Sequence, residues 1–194
     1  LLSGLAERLG SPEAVLHWQQ EATRDSLVLP GSDHRLALSH LLPIVQRAAA
    51  GELHGIGHRV VHGGEHFSGA CRLDAASLQL IRQIAPLAPL HNPANAAGIR
   101  AARKSFPEVA QVAVFDTAFH QSMPASSFRY AISSELEEKY AIRKYGFHGS
   151  SFSYVSRQAA KHLAIEPERF NAVILHLGNG ASACAIKNGK SFDT

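Results

Sequence analysis

The segment GHRVVHGGEHF, residues 57–67, holds an arginine and three histidines at regular spacing, and the two features point to different chemistries. In an extended strand side chains alternate, so Arg59 and Val61 share one face, roughly 6–7 Å apart. A guanidinium beside an apolar wall suits a small molecule with an anionic head and a short alkyl tail. Arginine also grips carboxylate or phosphate with two parallel hydrogen bonds. The plainer alternative is a surface arginine on an edge strand. His58, His62 and His66 would line one face of a helix and suggest zinc. The β-branched pair Val60-Val61 and the glycines at 63 and 64 favour a strand and turn instead, where hydrogen-bonded structural histidines are the stronger reading.

Three further segments carry candidate chemistry. VAVFDTAFHQSMP, residues 112–124, sets Asp116 at the C-terminal end of an apolar strand, where α/β folds place reactive groups. Asp116 could hold Mg²⁺ through water or orient a nucleophile, and an Asp-Thr turn cap is an equal alternative. YGFHGSS, residues 145–151, places Phe147 and His148 just before a serine-capped helix. The positive end of such a helix lowers an imidazole pKa and leaves a neutral donor for a phosphoryl oxygen; a packed aromatic beside a satisfied histidine is the alternative. HLGNGAS, residues 176–182, has Gly178 and Gly180, which let backbone amides approach a phosphate closely. It matches neither GxGxxG nor GxxxxGK[ST], and a plain hairpin turn would have the same sequence.

The elements that must position these residues follow from periodicity and turn signals. Helical sequence is expected from Leu1 and again over 32–50, capped by Ser32 or Asp33 and kinked or restarted by Pro43. A strand is expected at 56–62, an amphipathic helix at 73–87 capped by Asp74, and a helix from Asn92-Pro93 to about Lys104. An apolar strand at 109–115 leads to Asp116. A short helix is expected at 133–140, and another, capped by Ser150 or Ser151, runs to about Leu163. Strands at 172–177 and 181–186 and an Asn188-Gly189 hairpin close the chain. Strands alternating with helices argue an α/β architecture, and the hairpins at 172–194 look like the opening of a second domain.

Composition narrows the function classes. At 194 residues the chain can form one large domain or two small ones, and 45% hydrophobic with 18% charged residues suits a packed globular protein. The net charge is +3 with no run of lysines and arginines, which argues against a nucleic-acid partner. No apolar run approaches the ~20 residues of a membrane span, so no membrane partner is expected. Glu7 and Arg8 stand where a leader would be apolar. Cys71 and Cys184 are too few for a disulfide framework, so the cytoplasm is the expected compartment.

Wording and order together are more specific than any single segment. HRVVHGGEHF, APLHNPANAAGI, VAVFDTAFHQSMP, YGFHGSS and HLGNGASACAI occur in succession, and the run closely resembles the acetate kinase family of short-chain carboxylate kinases. The resemblance extends from about Gly57 to Thr194; residues 1–50 match no motif. It implies the α/β fold of the acetate and sugar kinase/Hsp70/actin group, with ribonuclease-H-like domains, truncated here at both ends. Residues 1–118 would be an N-terminal carboxylate-binding domain lacking its first strands. Residues 119–194 would open the C-terminal nucleotide-binding domain.

The resemblance also implies reversible phosphoryl transfer from ATP to acetate, giving acetyl phosphate and ADP, with Mg²⁺ as cofactor and a homodimer as the assembly. Carried over by residue, Arg59 resembles the arginine that binds the carboxylate and the transferring group. Val61, Leu90 and Phe147 resemble the walls around the methyl group. Asp116 resembles the active-site aspartate and His148 the transition-state histidine, while His176, Leu177, Gly178, Asn179 and Gly180 resemble the loop against the ATP phosphates. The family's magnesium ligands fall outside these residues. Ser150 and Phe152 depart from the usual FHGTSH, where threonine and a second histidine stand. Val61 and Leu90 favour acetate or propionate over longer acids. A propionate or butyrate kinase is the alternative within the family, and a fragment that binds ligand without turnover is the alternative outside it.

Overall fold

The computed structural model describes residues 1–194 except Ala50 and Glu52. Its first three elements are strands, β1 (Leu2–Glu7), β2 (Val15–Gln20) and β3 (Thr23–Val28), paired antiparallel in that order. This corrects the helical reading of the first residues. Leu16 is buried on one face of β2 and packs with Ala6, Trp18, Leu27 and Leu29 against Ala37, Leu41 and Ile44 of helix α1 (His34–Ala49). The turn between β2 and β3 leaves Glu21 in the left-handed region at φ 55°, so it carries no glycine to announce it. Asp33 caps α1, its Oδ1 accepting the Leu36 N–H at 2.8 Å. Pro43 lies inside an unbroken helix. The last residue of the expected helix, Ala50, lies outside the described residues.

The central unit follows the expected alternation. β4 (Gly55–Val60) pairs parallel with β6 (Ala110–Phe115), and the short β5 (Cys71–Arg72) adds antiparallel to the far side of β6. Between them lie α2 (Ala75–Gln83) and α3 (Asn92–Ser105). β4 stops two residues before the expected His62 because asparagine side chains of α3 replace a strand partner. Asn95 Oδ1 accepts the Val61 N–H and Asn92 Oδ1 the His62 N–H, each at 3.2 Å. Helix α2 opens on a reciprocal box between Asp74 and Ser77 and ends before the 3-10 turn Ala85–Leu87. Pro86 has no N–H to give the Arg82 carbonyl, so the α-helical ladder cannot run on to the expected Leu87.

The core of this unit is Val60, Ile81, Ile99, Ala113 and Phe115, with Phe67 stacked on Phe115 at 4.1 Å between centroids. Beyond β6 come a 3-10 turn (Ala118–Ser122), α4 (Ala125–Phe128), α5 (Ser134–Tyr140, capped by Ser133) and α6 (Gly149–His162). Strands β7 (Ala172–Leu177), β8 (Ala181–Lys187) and β9 (Lys190–Asp193) then form an antiparallel sheet. One face of this sheet buries Ile174, Cys184 and Ile186 under Phe152 and Ala160 of α6. The other face presents Val173, Leu175 and Leu177 to solvent. The 3-10 turn after β6 rests on β9, with the Ser122 hydroxyl donating to the Ser191 carbonyl at 2.9 Å. Among the described residues no helix is long and apolar enough to cross a membrane.

Phe115 joins the strand that leads to Asp116 with the centre of the core. Phe115→Ala should lower unfolding free energy by about 3–5 kcal/mol, read from the shift of the urea midpoint.

Candidate active site

Asp116 is the residue around which the candidate site is assembled. Its N–H donates to the Val60 carbonyl at 3.0 Å, continuing the β4–β6 ladder one step past β6. Its own carbonyl accepts the Gly149 N–H at 2.8 Å, which sets the first turn of α6 directly on the end of the strand. Its carboxylate accepts from Arg59 Nε at 3.0 and 3.1 Å and from Nη2 at 2.6 Å. The Asp116 side chain is 3% exposed and that of Arg59 is 67% exposed, so the anion is enclosed and the cation stands forward of it. The hydrogen bond to Asp116 raises the Arg59 pKa further, so the guanidinium is permanently charged. Among the described residues no partner engages Arg59 Nη1.

The close seat of α6 explains Gly149. A side-chain carbon there would collide with the Asp116 carbonyl oxygen and lie 3.0 Å from Phe119 Cβ. The residue before it, His148, is the N-cap in place of the expected Ser150 or Ser151, and it holds a left-handed φ of 56°. That conformation turns its imidazole out of the helix and onto His176, with ring centroids 4.1 Å apart and planes 14° from parallel. His148 Nδ1 lies 2.9 Å from Ser182 Oγ, and His176 Nδ1 lies 3.0 Å from Ser151 Oγ. Gly180 faces the same ring, where a side-chain carbon would stand 3.1 Å from His148 Cε1.

Burial pushes the His148 imidazole below its ordinary pKa, and the neighbouring His176 pushes in the same direction. Asp116 acts against them and Arg59 adds to them, so the ring is neutral at pH 7. The expected lowering thus has burial as its first cause, ahead of any helix end.

Arg59, Asp116, His148, Ser150, Ser151, His176, Asn179 and Gly180 line one cleft of about 360 Å³. The Ser150 and Ser151 amides occupy the first turn of α6, where backbone N–H groups have no intrahelical acceptor. An arginine, a neutral imidazole, two hydroxyls and a helix N-terminus facing one space make a receptor for an anion rich in oxygen. The remaining residues picked out from the sequence lie apart from that lining. Val61 is half-buried against Asn95, Leu90 is 86% exposed, Phe147 stands edge-on to His62 at 5.7 Å, and Leu177 and Gly178 face solvent. Arg59 also borders a second cavity of about 390 Å³ towards Leu9, Leu38 and Leu41.

The spaced histidines do not converge. His58 Nε2 meets Gln111 Oε1 at 2.9 Å, and His62 Nδ1 accepts the Gly64 N–H at 2.9 Å. Among the described residues no group of three or more His, Cys, Asp or Glu is placed to hold a metal ion. Sequence reasoning read Ser150 and Ser151 as caps, and Ser150 also as a departure from the family motif, and passed over Ser182. The signal available was their position on either side of the two glycine-bearing loops.

Solved structures share this architecture. The chain superposes over its whole length on half of a propionate kinase from Francisella tularensis, with a TM-score of 0.91 and 44% identity. It does the same on half of the Porphyromonas gingivalis acetate kinase, with a TM-score of 0.89 and 38% identity. The fold is therefore that of the short-chain acid kinases.

The family model described as Acetokinase family matches residues 1–194, and the chain belongs to that family. Among curated relatives, the acetate kinase of Ectopseudomonas mendocina is 67% identical over 193 residues, covering 100% of this chain and 49% of that protein. An acetate kinase of Pseudomonas aeruginosa is 56% identical with the same coverage. The chain spans about half the length of these relatives.

Two outcomes test this geometry. Gly149→Ala should cost about 1–3 kcal/mol in urea unfolding because the backbone carbonyl cannot move aside. Gly98→Ala, where nothing lies within 4 Å, should be neutral or stabilising in the same measurement. The second outcome concerns pH. His62, His120 and His148 all have imidazole pKa values lowered by burial. As pH falls below about 6.5 the unfolded chain takes up protons that the folded chain refuses, so stability should decline from pH 7 to pH 5. His148 ring resonances followed by NMR should titrate below that ordinary value.

Proposed function

We propose that this chain supplies the carboxylate-gripping and phosphoryl-contacting side of an acetate kinase, acting in a polypeptide of its relatives' full length. The reaction is reversible transfer of the terminal phosphoryl group of ATP to acetate, giving acetyl phosphate and ADP. The observation that carries this reading is the forward-standing Arg59 guanidinium, held from behind by buried Asp116 and sharing one cleft with neutral His148.

Acetate is already ionised at neutral pH, so its oxygen can attack phosphorus without a strong base. The transfer needs alignment and neutralisation of charge on the equatorial oxygens. Asp116, bound to Arg59 through both oxygens, acts as the group that orients the guanidinium rather than as a proton acceptor. Arg59 offers its outward N–H groups to the carboxylate and to the transferring group. His148 donates a hydrogen bond to a phosphoryl oxygen, and the loop from His176 through Leu177, Gly178 and Asn179 to Gly180 lies against the ATP phosphates. The alkyl end of the acid is assigned to Val61, Leu90 and Phe147, of which Leu90 and Phe147 present exposed apolar surface.

Magnesium would enter with the nucleotide. Among the described residues no group makes a cation site, since Asp116 is committed to Arg59 and no acidic neighbour joins it, so no step is assigned to the metal here. The same reading divides the chain into carboxylate-binding residues 1–118 and nucleotide-side residues 119–194, and expects a cytoplasmic homodimer. Propionate is the second substrate considered, because a propionate kinase superposes on the chain.

The test is a hydroxamate assay with ATP, Mg²⁺ and acetate on the full-length polypeptide and its Arg59→Ala variant. Activity should fall by about 10³–10⁵ in the variant, and butyrate should be turned over more slowly than acetate or propionate. An intact, folded polypeptide without acetyl phosphate formation would overturn the reading of the reaction, and equal turnover of butyrate would overturn the assigned acid.

A further inference from the structure

We propose that His120 is a positioning residue for His148, fixing from below the peptide that gives the reacting imidazole its orientation. The inference rests on the role assigned to His148 above.

His120 lies in the 3-10 turn that follows Asp116 and is fully buried. Its Nε2 is 3.0 Å from the Phe147 carbonyl oxygen and its Nδ1 is 2.8 Å from Ser191 Oγ on β9. A carbonyl oxygen can only accept, so Nε2 carries the proton and Nδ1 is the acceptor. The Ser191 hydroxyl must then donate to Nδ1. With that hydrogen engaged, Ser191 Oγ can only accept from the Cys184 thiol 3.4 Å away, whose single hydrogen is shared with the Ala185 carbonyl at 3.7 Å. The line therefore has one direction, from Ser191 through His120 to the Phe147 carbonyl.

The neighbouring charges are compatible with that direction. Burial lowers the His120 pKa; the Phe147 carbonyl and Asp116 raise it, each less than burial lowers it, and His148 adds to the lowering. Burial likewise raises the Cys184 thiol, which keeps its proton. Both groups are thus neutral, as the line of hydrogen bonds requires.

The Phe147 carbonyl belongs to the peptide whose nitrogen is that of His148. Holding this oxygen fixes the peptide plane, and with it the φ of 56° that aims the His148 ring at His176 and Ser182. A left-handed angle is unfavourable for a residue with a side chain, so the conformation persists only when its surroundings impose it. His120 imposes it by packing as well. Gly146, at φ 76°, lies so close that a side-chain carbon there would stand 2.7 Å from two atoms of the His120 ring. Phe119 and Phe152 meet the ring edge-on at 5.8 and 5.7 Å. Because Ser191 sits on β9, the same ring also locks the third sheet to the end of β6. A freed Phe147–His148 peptide can rotate, and the imidazole then leaves its stack.

The experiment has two arms. In the unmodified 194-residue protein, long-range ¹H–¹⁵N NMR should show neutral His120 as the Nε2–H form, with its titration below the ordinary imidazole value. An Nδ1–H form, or an ordinary titration near pH 6.5, would overturn the proposal even if no catalysis were ever detected. In the full-length polypeptide, His120→Leu should lower kcat by about 10²-fold, as for a small misplacement of a reacting group. The KM for acetate should change less than threefold. His120→Gln, which keeps a donor towards Phe147, should recover at least tenfold of the loss. His148 resonances should move in His120→Leu and return in His120→Gln. A folded His120→Leu protein with unchanged kcat and unchanged His148 resonances would refute the positioning role. If both variants fail to fold, the tautomer of the unmodified protein decides.

Discussion

Asp116 uses all three of its hydrogen-bonding groups to join separate parts of the chain. The amide ties it to β4, the carbonyl receives the first amide of α6, and the carboxylate holds Arg59. Because these groups sit on one residue, the strand pair, the helix and the cation cannot shift independently. The parallel register puts Arg59 opposite Val114 and Val60 opposite Phe115, which leaves Asp116 one step beyond the sheet and level with the guanidinium. A different register would move the carboxylate by a full residue and face it the other way. The absence of a side chain at Gly149 belongs to the same constraint, for it permits a helix to start against a strand end without a gap.

The electrostatic character of the cleft follows from that arrangement. One buried carboxylate is matched by one arginine, and the space is also faced by the His148 ring, the Ser150 and Ser151 hydroxyls and the side chain of Asn179. The environment is thus short of negative charge at the point where an anionic ligand would sit. Burial first, and then the neighbouring His176, disfavour a protonated His148, so the ring is neutral. Fixed dipoles of this kind need little rearrangement when charge moves during a transfer.

Much of this was legible in the sequence, and the exceptions share physical causes. The strand ending at Asp116 could be read from its apolar run, and α2, α3 and α5 from Asp74, Asn92-Pro93 and Ser133, because local chemistry alone decides those boundaries. The first three strands were missed. Their hairpin turn places Glu21 in a left-handed angle with no Asn-Gly or Gly to mark it. The ends of β4 and α6 were misjudged because residues distant in sequence settle them. Asn92 and Asn95 take the amides that would have continued β4, and the Asp116 carbonyl selects Gly149 as the first residue of α6. Of the cleft lining, Arg59, Asp116, His148, His176, Asn179 and Gly180 were picked out in the sequence, by the run of motifs together rather than by any one of them. His120 was not, since its role depends on a serine 71 residues away.

The sheet of β7, β8 and β9 has apolar side chains on both faces, and only one of them lies under α6. The row of Val173, Leu175 and Leu177 therefore keeps ordered water over hydrocarbon, which contributes a positive heat capacity to the exposed surface. Any layer that closes over this row releases that water, with little enthalpy near room temperature and a negative heat-capacity change. Its hold on the sheet would weaken as the solution is cooled, so contacts made by this face carry the signature of cold-labile association.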